Sequence, residues 1–188
     1  MLNVFTGKTG RIQLFVPSAT SPESNDAKAV FKNYGKDESP PVGRVTNIEI
    51  VVDTDLEDFH EIGRRHPVVL QPGNIHIGGH IERAYLSGAI IALLLGRGTS
   101  ANAIAEPYVQ PSFGIIVDLS DPAVTGNDAQ LVLDGVKFEN WGMTMPEDDF
   151  VMENVTFKAL TLHIIDKEAP PGGTGAPVEH KPFATSCC

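Results

Sequence analysis

Two long β-strand patterns in this chain change their apolar phase partway along, and this constrains the fold more than any other feature. Within residues 129–139 the apolar side chains shift from odd to even positions, and Gly135 stands at the shift. A glycine at a phase shift predicts a bulge or a sharp bend. Residues 150–165 shift phase near Ala159 and exceed the usual strand length of about five or six residues. We therefore expect a strand that crosses between two packed sheets or turns a barrel corner.

Alternating apolar residues predict several further strands. They lie at residues 11–16, 43–53, 67–82 with a turn at 71–73, and 113–120, the last forming a hairpin with 129–139. The chain has 188 residues with 14 prolines and 18 glycines, which suits one turn-rich β domain and not a helical bundle.

Two short helices are also predicted. Thr54 precedes Glu57 by three residues, a capping-box spacing that indicates a helix over about 55–62. The apolar run 84–95 is shorter than the ~20 residues of a membrane span, so it predicts a buried helix, capped by Ser87 and ended by Gly96. We expect no membrane anchor and no secretory leader.

Two polar segments lack strand or helix periodicity. Residues 17–41 read as a long loop with only a short order-prone piece at 30–34, and a loop of this length predicts an assembly contact. Residues 166–188 are rich in proline and glycine and predict a flexible C-terminal arm. The expected architecture for residues 1–165 is a single mainly β domain, a β-sandwich or small β-barrel with one or two short flanking α-helices.

Candidate catalytic and metal-binding patterns are weak. His76, His80 and Glu82 share one strand face, but no second element completes a ligand set, and an exposed polar face explains them. His60 and His66 have no nucleophile motif beside them. We predict no catalytic residues, no metal and no cofactor.

The charge of the chain limits its partners. A net charge of −10 argues against a protein that grips phosphates, because Lys and Arg supply most of the affinity for duplex DNA. Glu147, Asp148 and Asp149 form an acidic turn without the alternating spacing of a calcium loop. They predict either a solvated turn or a contact between subunits.

Four sequence blocks carry a resemblance to one known family. Residues 136–141 (VKFENW) and 145–160 (MPEDDFVMENVTFKAL) are similar to the C-terminal signature of phage tail tube proteins. Residues 43–50 (GRVTNIEI) and 78–85 (GGHIERAY) are similar to two more of its blocks, in the same order. The resemblance covers most of residues 43–160.

The resemblance implies a virion protein whose hexameric rings stack into the inner tube of a phage tail, through which genomic DNA leaves the virion. It implies assembly in the host cytoplasm, with further copies, a tape measure protein, baseplate and tail terminator proteins, and a sheath if the tail contracts. Double-stranded DNA would pass without specific binding. On this hypothesis acidic residues at polar strand positions line the channel: Glu49, Asp53, Asp118, Glu139 and Glu153.

Two other function classes compete with this interpretation. A carbohydrate- or surface-binding β-sandwich module of a virion would have a similar strand pattern, but such modules present aromatic platforms, and the chain has one Trp and three Tyr. An enzyme is the third class, and it depends only on the histidines.

Overall fold

The computed structural model describes residues 5–16, 21–34, 44–85, 87–96, 110–120, 128–168 and 178–180. This part of the chain contains a single 3-10 turn at Gly7–Thr9, eight strands and two helices. In chain order these are β1 (Arg11–Phe15), α1 (Pro22–Tyr34), β2 (Val45–Phe59), β3 (Val69–Ala84), α2 (Ala89–Leu95), β4 (Phe113–Ser120), β5 (Asp128–Thr144), β6 (Met152–Ala159), β7 (Thr161–Glu168) and β8 (Val178–His180).

Two antiparallel sheets share the long strand β5. The first half of β5 pairs with β4 on one side and β7 on the other, and β1 and β8 complete this first sheet. The second half of β5 pairs with β6, which is followed by β3 and then β2 in the second sheet. The result is one curled, half-barrel sheet, which confirms the predicted mainly β fold class.

The corner between the two sheets lies at Gly135. This residue has a φ of +65°, and the pairing of β4 with β5 shifts register beside it. A Cβ at Gly135 would lie 2.5 Å from Cδ1 of Leu160, whose own N–H donates to the carbonyl of Asp134 at 3.0 Å. Leu160 separates β6 from β7, so both long patterns bend at the same corner. The phase shifts in the sequence are confirmed as bends between sheets.

One core fills the inside of the curl. The apolar side chains of both sheets face it, and both helices pack against it. Phe113 is central, because its ring centroid lies 6.4 Å from that of Phe31 on α1 and 4.7 Å from that of Phe138 on β5. Each fully buried side chain of this size contributes about 1.5–3 kcal/mol by leaving water. Other core members are Leu14, Ile81, Ile90, Leu93, Ile115, Leu133, Val136, Val155 and Phe157.

The helix predicted over 55–62 is wrong. β2 continues through this segment to Phe59, which lies opposite Val69 in a long hairpin with β3. The predicted turn at 71–73 is a register shift within that hairpin, between Thr54 and Leu56 on β2. The capping-box spacing is a local signal of modest energy, and pairing with β3 overrides it. The chain reverses at residues 60–68 instead.

The structureless loop predicted over 17–41 is also wrong for its middle part, where α1 forms. The Oγ of Ser21 accepts a hydrogen bond from the N–H of Ser24 at 3.1 Å, and Pro22 occupies the first helical position. Both features are helix start signals. Ala27 and Phe31, one turn apart, bury the inner face of α1. Residues 17–20 and 35–41 lie outside the described residues.

Smaller differences concern the ends of elements. The apolar helix begins at Ala89, after Gly88 and not at a Ser87 cap, and it ends at Gly96, whose N–H donates to the carbonyl of Ala92. The predicted arm at 166–188 includes the end of β7 and the short strand β8, which pairs with β7. The rest of that arm and residues 121–127, between the two strands of the predicted hairpin, lie outside the described residues.

Candidate functional site

The surface of the second sheet that faces away from the core is polar, and we call it the polar face. Strand pairing places Glu49, His80, Thr156 and Asn140 side by side across all four strands of this face. The neighbouring row contains Asn47, Glu82, Asn154 and Gly142. Since Ile81 and Val155 are buried on the opposite side, the alternation predicted for this sheet separates a polar surface from the core.

Three of the five acidic residues predicted to line a channel are exposed on the polar face. Glu49 lies beside His80, with 3.2 Å between Oε2 and Nδ1. Asp53 lies four residues further along β2, opposite His76. Glu139 accepts a hydrogen bond from Nζ of Lys158 at 2.8 Å. Asp53 and Glu139 line a common open groove of about 510 Å³ at the base of the β2–β3 hairpin.

Asp118 belongs to the first sheet. It lies opposite Arg11 on β1 and is half-buried, and its Oδ1 accepts a hydrogen bond from Nε2 of Gln130 at 2.6 Å. The structure therefore separates Asp118 from the three carboxylates of the polar face, although all four side chains point away from the core.

The prediction for Glu153 is wrong, because this side chain is buried and cannot face a channel. Its Oε1 accepts a hydrogen bond from Nε of Arg83, and its Oε2 accepts one from Nε1 of Trp141 at 2.8 Å. Glu153 has the same odd-numbered phase on β6 as the core residues Val155 and Phe157. That shared phase was the sequence signal that the prediction overlooked.

Arg83, Glu153 and Trp141 form a buried polar cluster that the sequence analysis did not identify. The side chain of Glu153 is 0% exposed and that of Arg83 is 5% exposed. Burial lowers the pKa of Arg83, and the charge of Glu153 together with its hydrogen bond opposes this effect. Burying a charge is tolerated only with a paired, hydrogen-bonded partner, so the cluster is an interdependent structural unit. Trp141 is half-buried and packs against the core.

The acidic turn lies between β5 and β6. Glu147, Asp148 and Asp149 are exposed, and the carboxylate of Asp149 accepts a hydrogen bond from the N–H of Phe150 at 2.7 Å. Met145 and Phe150 flank these carboxylates and expose most of their side chains. The turn thus combines negative charge with an apolar surface.

The histidines of the polar face have acidic neighbours but do not form a larger ligand set. His76 lies 3.5 Å from Asp55, while His80 lies beside Glu49. Among the residues that the structure describes, no three His, Cys, Asp or Glu side chains are grouped so that they could hold a metal ion. Within the same residues, no helix combines the length and the apolar character needed to cross a membrane.

The fold is that of tail tube proteins. A chain of the SPP1 tail tube matches it with a TM-score of 0.56 and 8% identity, over 86% of this chain and 78% of its own. A chain of the PVC sheath–tube complex, from an extracellular contractile injection system in its extended state, matches with a TM-score of 0.53 and 12% identity, over 83% of this chain and 88% of its own.

A third match comes from the cap that terminates the tube of the anti-feeding prophage. Its TM-score is 0.57 at 12% identity, over 88% of this chain and 93% of that one. No family model matches the sequence, and no curated protein matches it either. The likeness is therefore one of fold, and it confirms the resemblance that the sequence blocks carried.

Proposed function

We propose that copies of this chain assemble into hexameric rings that stack into the inner tube of a phage tail or of a related contractile injection system. The observation that carries the proposal is that the second sheet has two open edges. Within the described part of the chain, β2 pairs only with β3, and β5 beyond residue 139 pairs only with β6. Native proteins cover or pair such edges. A closed ring of identical copies joins one edge to the other.

In the proposed tube the polar face lines the channel, with Glu49, Asp53 and Glu139 on it and Asp118 on the non-core side of the first sheet. Double-stranded DNA passes through without being held, because the described residues of the polar face form no patch of cations. The chain is a structural subunit without catalytic residues, metal or cofactor. Its partners are further copies, a tape measure protein, baseplate and terminator proteins, and a sheath where the tail contracts.

Electron microscopy of the purified protein tests the assembly. We expect rings with sixfold symmetry that lengthen into hollow tubes as the protein concentration rises. A chain that stays monomeric at every concentration, with its sheet edges still exposed to hydrogen exchange, overturns the proposal.

A pair of charge-reversal variants tests the channel lining. Glu49→Lys adds positive charge to the polar face, and Asp166→Lys adds the same charge at an exposed position of the first sheet, in the strand phase of Leu162, which packs against the core. Tubes of the first variant should retain short duplex DNA at low salt and release it steeply as salt rises. Tubes of the control and of the unmodified protein should not. Equal retention by both variants would show that the polar face is not lumenal.

A further inference from the structure

The second sheet ends in two exposed surfaces of different chemistry. We define the hairpin apex as residues 59–68, where β2 reverses into β3, and the acidic turn as residues 145–150, between β5 and β6. β3 pairs antiparallel with β6, with Ile77 opposite Ala159 and Ala84 opposite Met152. The acidic turn immediately precedes Met152, whereas the apex lies beyond the Ile77 end. The two surfaces are therefore at opposite ends of the strands.

The hairpin apex projects from the body of the domain. Beyond Ile77, only the paired strands β2 and β3 continue. From Val52, which lies opposite Ile77, β2 extends for about 20 Å to Phe59. A two-stranded ribbon is marginally stable on its own. Phe59 is 61% exposed, and Ile62, at the reversal, is fully exposed. Such an exposed apolar cluster marks a contact surface.

Charge distinguishes the apex from the turn. The apex contains Arg64 and Arg65 with a single carboxylate, Glu61, which lies 3.5 Å from Arg64. Two further acidic residues, Glu57 and Asp58, immediately precede the apex on β2. The acidic turn contains three carboxylates and no cationic residue. Its apolar part is Met145, 69% exposed, and Phe150, 75% exposed.

We propose that the hairpin apex of one copy docks on the acidic turn of a second copy in the next ring. Arg64 and Arg65 face the carboxylates of the turn, and Phe59 and Ile62 pack against Met145 and Phe150. The inference rests on the proposed function and adds to it the axial contact and the direction of the stack. A contact between two different surfaces at opposite ends of one molecule does not close on itself, so it propagates along the tube.

A charge swap tests this contact. One variant carries Arg64→Glu and Arg65→Glu, a second carries Glu147→Lys and Asp148→Lys, and a third carries all four changes. Each two-residue variant places like charges together and should raise the protein concentration needed for tubes by about tenfold or more. The four-residue variant should restore tubes. As a matched control, Lys8→Glu with Lys167→Glu makes the same change at exposed positions elsewhere and should leave tube formation unchanged.

The outcomes separate this contact from the proposed function. Single rings without stacks in both two-residue variants, and stacks in the swap, support the contact. Normal tubes in either two-residue variant overturn it and leave the proposed function standing. Loss of tubes without recovery in the swap also overturns the pairing. An unmodified chain that forms neither rings nor tubes overturns the proposed function together with this inference.

Discussion

Replacing Glu153 by glutamine should destabilise the fold far more than replacing any exposed carboxylate of the chain. Glu153→Gln keeps the size of the side chain but removes the charge that compensates Arg83. The guanidinium is 5% exposed and lies inside the second sheet, so solvent cannot replace the lost partner. The new amide group also brings N–H donors toward Arg83 and Trp141, both of which donate to Glu153 in the native protein.

The size of the effect follows from burial. Removing one member of a buried ion pair costs about 3–5 kcal/mol because a charge is left uncompensated. For a domain of 150–250 residues, 1 kcal/mol lowers Tm by about 2–4 °C, so Tm should fall by about 6–20 °C. Glu139→Gln is the matched control, because it removes an ion pair whose Lys158 and Glu139 side chains are 72% and 54% exposed. Exposed pairs contribute about 0–1 kcal/mol.

Urea unfolding of the monomer, followed by fluorescence of the single tryptophan, measures both variants. The double variant Arg83→Met with Glu153→Gln completes the design, since it removes the buried charge and keeps an acceptor for Trp141. It should recover most of the stability lost in Glu153→Gln, because a buried pair is replaceable by apolar groups at small cost. A double variant as unstable as Glu153→Gln, or a Glu153→Gln loss no larger than that of Glu139→Gln, would refute the reasoning.

Two further substitutions test the fold at points where backbone geometry decides the outcome. Gly135→Ala should destabilise the domain by more than 1 kcal/mol, because φ is +65° and the new Cβ would meet Leu160 at 2.5 Å. Gly142→Ala is the comparison, because a Cβ at that position would lie in open space. An unchanged urea midpoint for Gly135→Ala would contradict the prediction. Ser21→Ala should cost about 1 kcal/mol by removing the N-cap hydrogen bond of α1, measurable by urea unfolding, whereas Ser21→Asn should retain most of the stability.

The bend at Gly135 was predictable from sequence because it depends on alternation along single strands. A phase shift reports a change in which side of the backbone is buried, and it is visible without knowing the partner strands. The start of α1 was also visible in principle, since Ser21 and Pro22 are ordinary helix start residues. The polar composition of that segment concealed it, because only a narrow stripe of α1 is buried.

The β2–β3 hairpin and the buried cluster were not predictable in the same way. β2 from Thr54 to Phe59 has a local helix signal, and only pairing with β3, up to 21 residues away in sequence, makes it a strand. Arg83 and Glu153 are 70 residues apart, so neither sequence position shows that the other will neutralise it. Strand alternation placed Glu153 inward, but the usual rule that charges are exposed outweighed it. Long-range contacts decide both cases.

The exposed charges of the polar face change the hypothesis about a channel lining. The sequence hypothesis was a channel lined by acidic residues, whereas the structure places a lysine beside one of them. Glu139 lies 2.8 Å from Nζ of Lys158. This separation is well below a Debye length of about 8 Å, so DNA at a distance experiences each Glu139–Lys158 pair as nearly neutral. Repeating an unpaired carboxylate in every copy of a ring would also repel the neighbouring copies. In the proposed tube, DNA would therefore slide because the polar face, as far as the structure describes it, has no cationic cluster to hold it, and strong repulsion from the wall is not required.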